Sequence, residues 1–327
     1  MPGAGSGEPY RFVVDETSFD FRGLPEEQLT VLLDDFNESF EELRERHKDK
    51  VAFSTSWYEV ECVDGLKIYQ VLFEHALPGV DRDTLMRTRL LMDRCPSWDT
   101  EPFDGPELVE VDGEVEVEAR SIGYAWHHAR TGRHTACVVF PVAHRLGWQA
   151  VSAVEGPSGD PETVKVFFLA EPAAVTDFWR SLFKLENVAE ADFLDRAREA
   201  FPGLVFADSL SFGKFDGVYR ELRDWVVDVL SVVQDHFADA LRKHSGQPDR
   251  VQDELKPYRL TLSPESSNTH RNKKAMRQRD VDHDGETYRC EWHAKKDGHR
   301  NRVHFSLPEQ RLGGRVLIGI FVDHLDT

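Results

Sequence analysis

Ten apolar or aromatic positions, Phe215, Tyr219, Leu222, Trp225, Val226, Val229, Leu230, Val233, Phe237 and Leu241, follow one another at helical spacing along a single stretch. Only a helix of about 3.6 residues per turn puts such a series on one side, so this segment must be a long helix with one face in a core. The stretch Lys243-His-Ser-Gly-Gln-Pro-Asp249 then breaks the pattern, offering Gly and Pro and no aliphatic or aromatic side chain. It reads as a linker, and a domain boundary is expected there.

Upstream, the apolar spacing switches between two periods. Leu29, Leu32, Leu33, Phe36, Phe40 and Leu43 share a helical face behind Pro25, and Asp81 is placed to cap a helix carrying Leu85, Met86, Leu90 and Leu91. Strand-like runs at 51–61 and 66–74 meet at Asp64-Gly65, and runs at 108–111 and 115–119 meet at Asp112-Gly113, dipeptides that suit tight hairpin turns. A helix over 121–130 and strands over 135–142, 149–154 and 164–169 follow, with the turn-rich loop 155–161 before the last of them. The fold class expected is α+β: a mixed helix/hairpin body over 1–170, a helical segment packed on it over 171–245, and a small antiparallel sheet domain over 256–327.

Charge divides the chain more sharply than structure does. Residues 256–327 hold 14 Lys+Arg against 10 Asp+Glu, whereas residues 1–255 hold 26 against 49, and six of the 14 histidines lie in the short tail. The overall charge of −19 argues against the whole 327-residue chain wrapping nucleic acid but leaves room for a local basic surface. No apolar run approaches the roughly 20 residues needed to span a bilayer, and the start lacks a secretion-signal layout, so the chain is expected to be cytoplasmic, without a membrane partner. Cys62, Cys95, Cys137 and Cys290 are scattered, with no Cys-x-x-Cys pair, and are expected to be buried free thiols. No phosphate-binding Gly-rich loop and no Gly-x-Ser-x-Gly occurs, and no cofactor is expected.

The tail carries the candidate chemistry. Residues 270–279 contain five basic side chains and no acid: Arg271, Lys273, Lys274, Arg277 and Arg279, an arm for RNA together with Arg289. Over 288–295 the alternation sets Tyr288, Cys290, Trp292 and Ala294 against Arg289, Glu291, His293 and Lys295. Over 301–306 it sends Val303 and Phe305 inward and leaves Arg302, His304 and Ser306 opposite. A third strand, 315–322, is apolar on both faces, and His324 follows it.

These stretches, Tyr288-Arg-Cys-Glu-Trp-His-Ala-Lys295, Asn301-Arg-Val-His-Phe305 and Arg315-Val-Leu-Ile-Gly-Ile-Phe-Val-Asp-His-Leu325, resemble the RelE/ParE/YoeB superfamily of bacterial toxins. Many members of that family cut messenger RNA on the ribosome with a curved antiparallel sheet. The resemblance covers the tail alone. It implies that Arg302 matches the family's phosphate-holding basic residue and His324 its imidazole or phenol near the end of the last strand. His293 and Lys295 lie where further His or Lys side chains are often found. The chain departs from the family in its length and in having little room for a helical pair before the sheet.

RNA cleavage needs proton acceptors and donors near neutral pH and cations for charge developing on phosphorus. The expectation is that His324 and His304, or His293 with Glu291, share the proton transfers while Arg302 and Lys295 hold the phosphate, without a metal. Zinc held by His293, His304 and His324 lacks any close ligand pair in sequence. The function expected is a toxin-like ribonuclease or RNA-binding effector, in a bacterial stress or antiphage setting, meeting RNA or the ribosome through the tail and controlled by the acidic body, which is also where a protein partner would dock. The alternatives are a non-catalytic binding subunit of a larger assembly and a metal-dependent hydrolase. The plain alternative is a solvated sheet face, which is polar by default.

Overall fold

The computed structural model describes residues 9–100, 105–106, 108–116, 119–154, 162–298 and 300–326. The loop expected at 155–161 and the strand positions 117–118 lie outside the described residues. The chain divides into two compact units, Met1–Phe178 and Trp179–Thr327.

The first unit is built on a seven-stranded mixed sheet. Its strands are β1 (Phe12–Val14), β2 (Val51–Ala52), β5 (Val109–Val111), β6 (Glu114–Glu116), β7 (Ala136–Val138), β8 (Gly147–Ala153) and β9 (Thr163–Leu169), while β3 (Glu61–Val63) and β4 (Leu66–Lys67) form a small hairpin apart. The order is β2-β1-β7-β9-β8-β5-β6, with β2, β1, β7 and β9 mutually parallel and the rest antiparallel. Parallel neighbours need a long crossover, and the helix Glu26–His47 supplies it between β1 and β2. Val13, Cys137 and Phe168 share one core cluster with Ile122, Ala125 and Trp126 of the helix Arg120–Arg130. Phe12 points the other way, to His47 and Phe178.

Local chemistry explains the boundaries. Asp81 caps the helix Arg82–Asp93 by accepting from the Asp83 and Thr84 amides. Asp112 (φ 49°) and Gly113 (φ 91°) both take the left-handed conformation that a two-residue turn between β5 and β6 demands. The strand expected over 66–74 ends at Lys67, where β4 closes the hairpin with β3, and continues as the helix Ile68–Glu74, because Ile68, Val71 and Leu72 fall at helical spacing and are buried together. The strand expected over 51–61 stops at Ala52, where Ser54 turns the chain by accepting from the Ser56 amide. All four cysteines are free and buried. No helix among the described residues is long and apolar enough to cross a membrane.

The second unit holds a five-stranded mixed sheet in the order β10-β16-β15-β14-β11. These are β10 (Leu204–Phe206), β11 (Thr261–Pro264), β14 (Trp292–Asp297), β15 (Arg300–Phe305) and β16 (Val316–Val322), and the separate hairpin β12 (Asp280–His283) and β13 (Glu286–Arg289) precedes β14. The expected long helix is present as Tyr219–Val232, a π-helical turn Val233–Phe237 and Ala238–Lys243. Its Phe237 ring lies 5.0 Å from those of Trp292 and Phe305 on the apolar face of the sheet.

The domain boundary falls elsewhere than the sequence suggests. Residues 244–247 turn between two helices, Ala238–Lys243 and Pro248–Leu255, held by Lys243 and His244 on Glu254. The helical middle belongs with the tail, since β10 pairs in parallel with β16. The tail sheet is therefore antiparallel only over four of its strands.

Candidate functional site

Alternation along β14 sends Trp292 and Ala294 to the apolar core and turns His293 and Lys295 to the other face. The antiparallel register then sets His293 opposite His304 and Lys295 opposite Arg302, and β11 adds Ser263 opposite His293. Directly opposed residues have Cβ atoms only about 5 Å apart, so these side chains share one patch. The two imidazole rings lie 5.0 Å apart.

Glu265 enters from the chain just beyond β11, where its amide donates to the Glu291 carbonyl at 2.9 Å. Its Oε1 accepts from Arg279 Nε at 3.0 Å and lies 3.5 Å from His293 Nδ1 and 3.7 Å from His304 Nδ1. Arg279 is completely buried, its Nη1 donating to the carbonyls of Ala275 and Asp326, each at 2.7 Å. The segment after β16 is fastened there too, by paired bonds between Gln278 and Asp326. His304 has no exposed surface, and His293 and Arg302 retain only 3% and 6% of theirs.

The patch is cationic and largely buried. Burial, then Lys295, Arg302 and Arg279, push His293 down to about 3. Burial likewise holds His304 well below its ordinary value, with His293, Arg279 and Arg302 adding to the effect and a nearby Cys290 carbonyl opposing it weakly. Lys295 and Arg302 are lowered by burial, and Glu265 pulls both back up. Both imidazoles are therefore neutral at pH 7 and cannot donate a proton to a leaving group.

Five buried polar atoms converge here without a hydrogen-bond partner among the described residues: His293 Nδ1, both ring nitrogens of His304, Arg302 Nε and Arg279 Nη2. Such atoms cost about 1–3 kcal/mol each when left unpaired, so a concentration of them marks a place shaped for something else to bind.

The sequence-predicted residues divide into those the sheet gathers and those it does not. His293, Lys295, Arg302 and His304 are together, and Arg279, expected on an exposed arm, is at the heart of the site. His324 is exposed beyond β16, within electrostatic reach of His293. Glu291 sits in the break between β13 and β14 and contributes its carbonyl to Glu265. Arg271, Lys273, Lys274 and Arg277 are exposed on the short helices Ser267–Arg271 and Lys273–Arg277. Arg289 is exposed on β13, ion-paired with Asp280.

Glu265 carries no motif that marks it in the sequence. Its one signal is that it is the only acid between residues 256 and 279.

The first unit offers a concavity of about 640 Å³, lined by residues that include Thr17, Asp20, Arg22, His144 and Arg145. It lies past the carboxyl ends of β1 and β7, where the order of the parallel strands reverses and open sheets commonly bind ligands. Its cations are already engaged, Arg22 by Asp20 and Arg145 by Thr17 and Asp15. The patch on the second sheet is the stronger candidate. Searches against protein-family models, curated proteins and solved structures return no match to this chain.

Proposed function

We propose that the second unit grips phosphate groups of RNA through Lys295 and Arg302, and that the chain is a toxin-like ribonuclease or RNA-binding effector. The observation that carries this reading is the cross-strand pair Lys295–Arg302, with the buried Arg302 Nε and the nearby Arg279 Nη2 making no hydrogen bond among the described residues. A guanidinium binds phosphate through parallel hydrogen bonds and an ammonium adds a point charge, so the pair suits an anion with several oxygens. Arg271, Lys273, Lys274 and Arg277 are exposed as well and would serve as an RNA-contacting arm. The resemblance of the tail to the RelE/ParE/YoeB toxins points the same way.

If the protein cleaves RNA, His324 is the exposed one of the three predicted imidazoles, because His293 and His304 are enclosed. That enclosure favours the non-catalytic reading, in which the same cations hold RNA or a phosphate-bearing partner without turnover. Incubating the full chain with RNA, alone and with ribosomes, tests both. Cleavage that disappears in His324→Ala and Arg302→Ala supports the ribonuclease. Binding without cleavage, weakened in Arg302→Ala, supports the effector. Neither binding nor cleavage would end the proposal.

A further inference from the structure

The buried imidazoles are left without a part in that reading, and their geometry suits a different task. Three potential donors, from Glu265, His293 and His304, lie within 4.8 Å of one another, and all three residues are buried. Zinc bonds of about 2.0–2.2 Å arranged tetrahedrally place neighbouring ligand atoms roughly 3.4 Å apart. The separations of Glu265 Oε1 from His293 Nδ1 and His304 Nδ1, 3.5 and 3.7 Å, are already close to that spacing. Neither Nδ1 makes a hydrogen bond among the described residues, so these groups are not satisfied as an ordinary polar network.

We propose that Glu265, His293 and His304 form a site for one divalent transition-metal ion of the zinc class, with an open coordination position that takes an anionic oxygen.

Several features outside the donor set agree. A ligating imidazole normally fixes its tautomer through the other ring nitrogen, and His293 Nε2 faces Ser263 Oγ at 3.4 Å. Glu265 is oriented by Arg279, which is itself anchored on two carbonyls. Two imidazoles and one carboxylate are a donor set that zinc and its neighbours accept, and three protein ligands leave a position free.

The surrounding charge shapes what fills that position. Arg279 already balances Glu265, and Arg302 and Lys295 stand on the same sheet face, so a dication alone would enter a positive environment. An anion bound beside it relieves this repulsion. Metal and phosphate-like anion should then bind with positive coupling, each strengthening the other by the same factor. The site does not depend on RNA being the substrate.

The test uses full-length protein stripped with chelator and titrated with Co(II), whose visible absorption reports nitrogen and oxygen coordination, then with Zn(II) in competition. One ion per chain is expected, displaced by Zn(II), with a raised Tm and tighter binding when sulfate is present. Glu265→Gln and His293→Gln, which keep side-chain bulk, should abolish the absorption and the Tm rise, and His270→Ala on the exposed helix should keep both. Circular dichroism of each variant separates failed ligation from failed folding, and wild-type binding stands independently of either. The proposal fails if stripped wild-type protein takes up neither ion, or if both folded ligand variants bind as wild type does. RNA affinity of the stripped protein, measured alongside, shows whether the RNA reading survives a failed metal site.

Discussion

Glu16 and Arg279 are fully buried ionisable side chains, and each gives a stability prediction. Burial, and then the neighbouring Asp15, raise the Glu16 carboxyl from 4.5 to about 7, against which the Ser121 amide bond pulls. Below about pH 4.5 the carboxyl is protonated in both folded and unfolded chains. As pH rises toward 7 the unfolded chain loses its proton first, so folding loses about 1.4 kcal/mol per pH unit from this group, levelling once the folded carboxyl ionises. Glu16→Gln should remove that slope and raise stability at pH 8, which denaturant titrations across pH would read directly. At Arg279, substitution by Met leaves Glu265 buried beside two imidazoles and should cost about 3–5 kcal/mol in the same titrations. Glu265 itself was legible only as a lone acid in a basic stretch, because its neighbours come from strands far apart in the chain and are assembled by a register that only the paired strands display.

At the scale of elements, the close approach of hairpin β12–β13 to the sheet depends on a glycine. A Cβ on Gly319 of β16 would collide with Cys290 Sγ and Val281 Cγ2. Gly319→Ala should therefore destabilise the second unit by about 1–3 kcal/mol, seen as a lower Tm, with Cys290→Ala restoring part of the stability in the double variant. Long periodic elements were readable from sequence: the helix through Leu222 and Phe237, the capped helix after Asp81, and the alternation along β15. The single strand expected over 288–295 is instead split at Cys290 and Glu291 between β13 of the separate hairpin and β14 of the sheet. The three-residue strands β1 and β10 were not, though they lie next to β7 and β16. Three residues are too few to show a period, and their pairing is fixed by tertiary packing. The same limit hid the helix Ile68–Glu74, whose apolar run is compatible with either period until its packing is known.

For the whole molecule, the consequence is where an autonomous fragment begins. Residues 256–327 alone would lack β10 and the helix whose Phe237 covers Trp292 and Phe305, exposing the apolar face of the sheet. A fragment 179–327 should melt cooperatively with native-like circular dichroism, whereas 256–327 should not. A cooperative melt of the shorter piece would show that the tail carries its own core. The charge contrast between tail and body was plain in composition; the joining of the helical middle to the tail was not, because a Gly/Pro-containing turn between packed helices looks in sequence like a linker.

The central claim, that the Lys295–Arg302 face holds RNA phosphates, is tested most directly by the salt dependence of RNA affinity in the wild type and in Lys295→Ala and Arg302→Ala. Each substitution should weaken binding and make the log–log slope shallower by about one, as expected when the protein neutralises one phosphate fewer. Unchanged affinity and slope in both folded variants would contradict it.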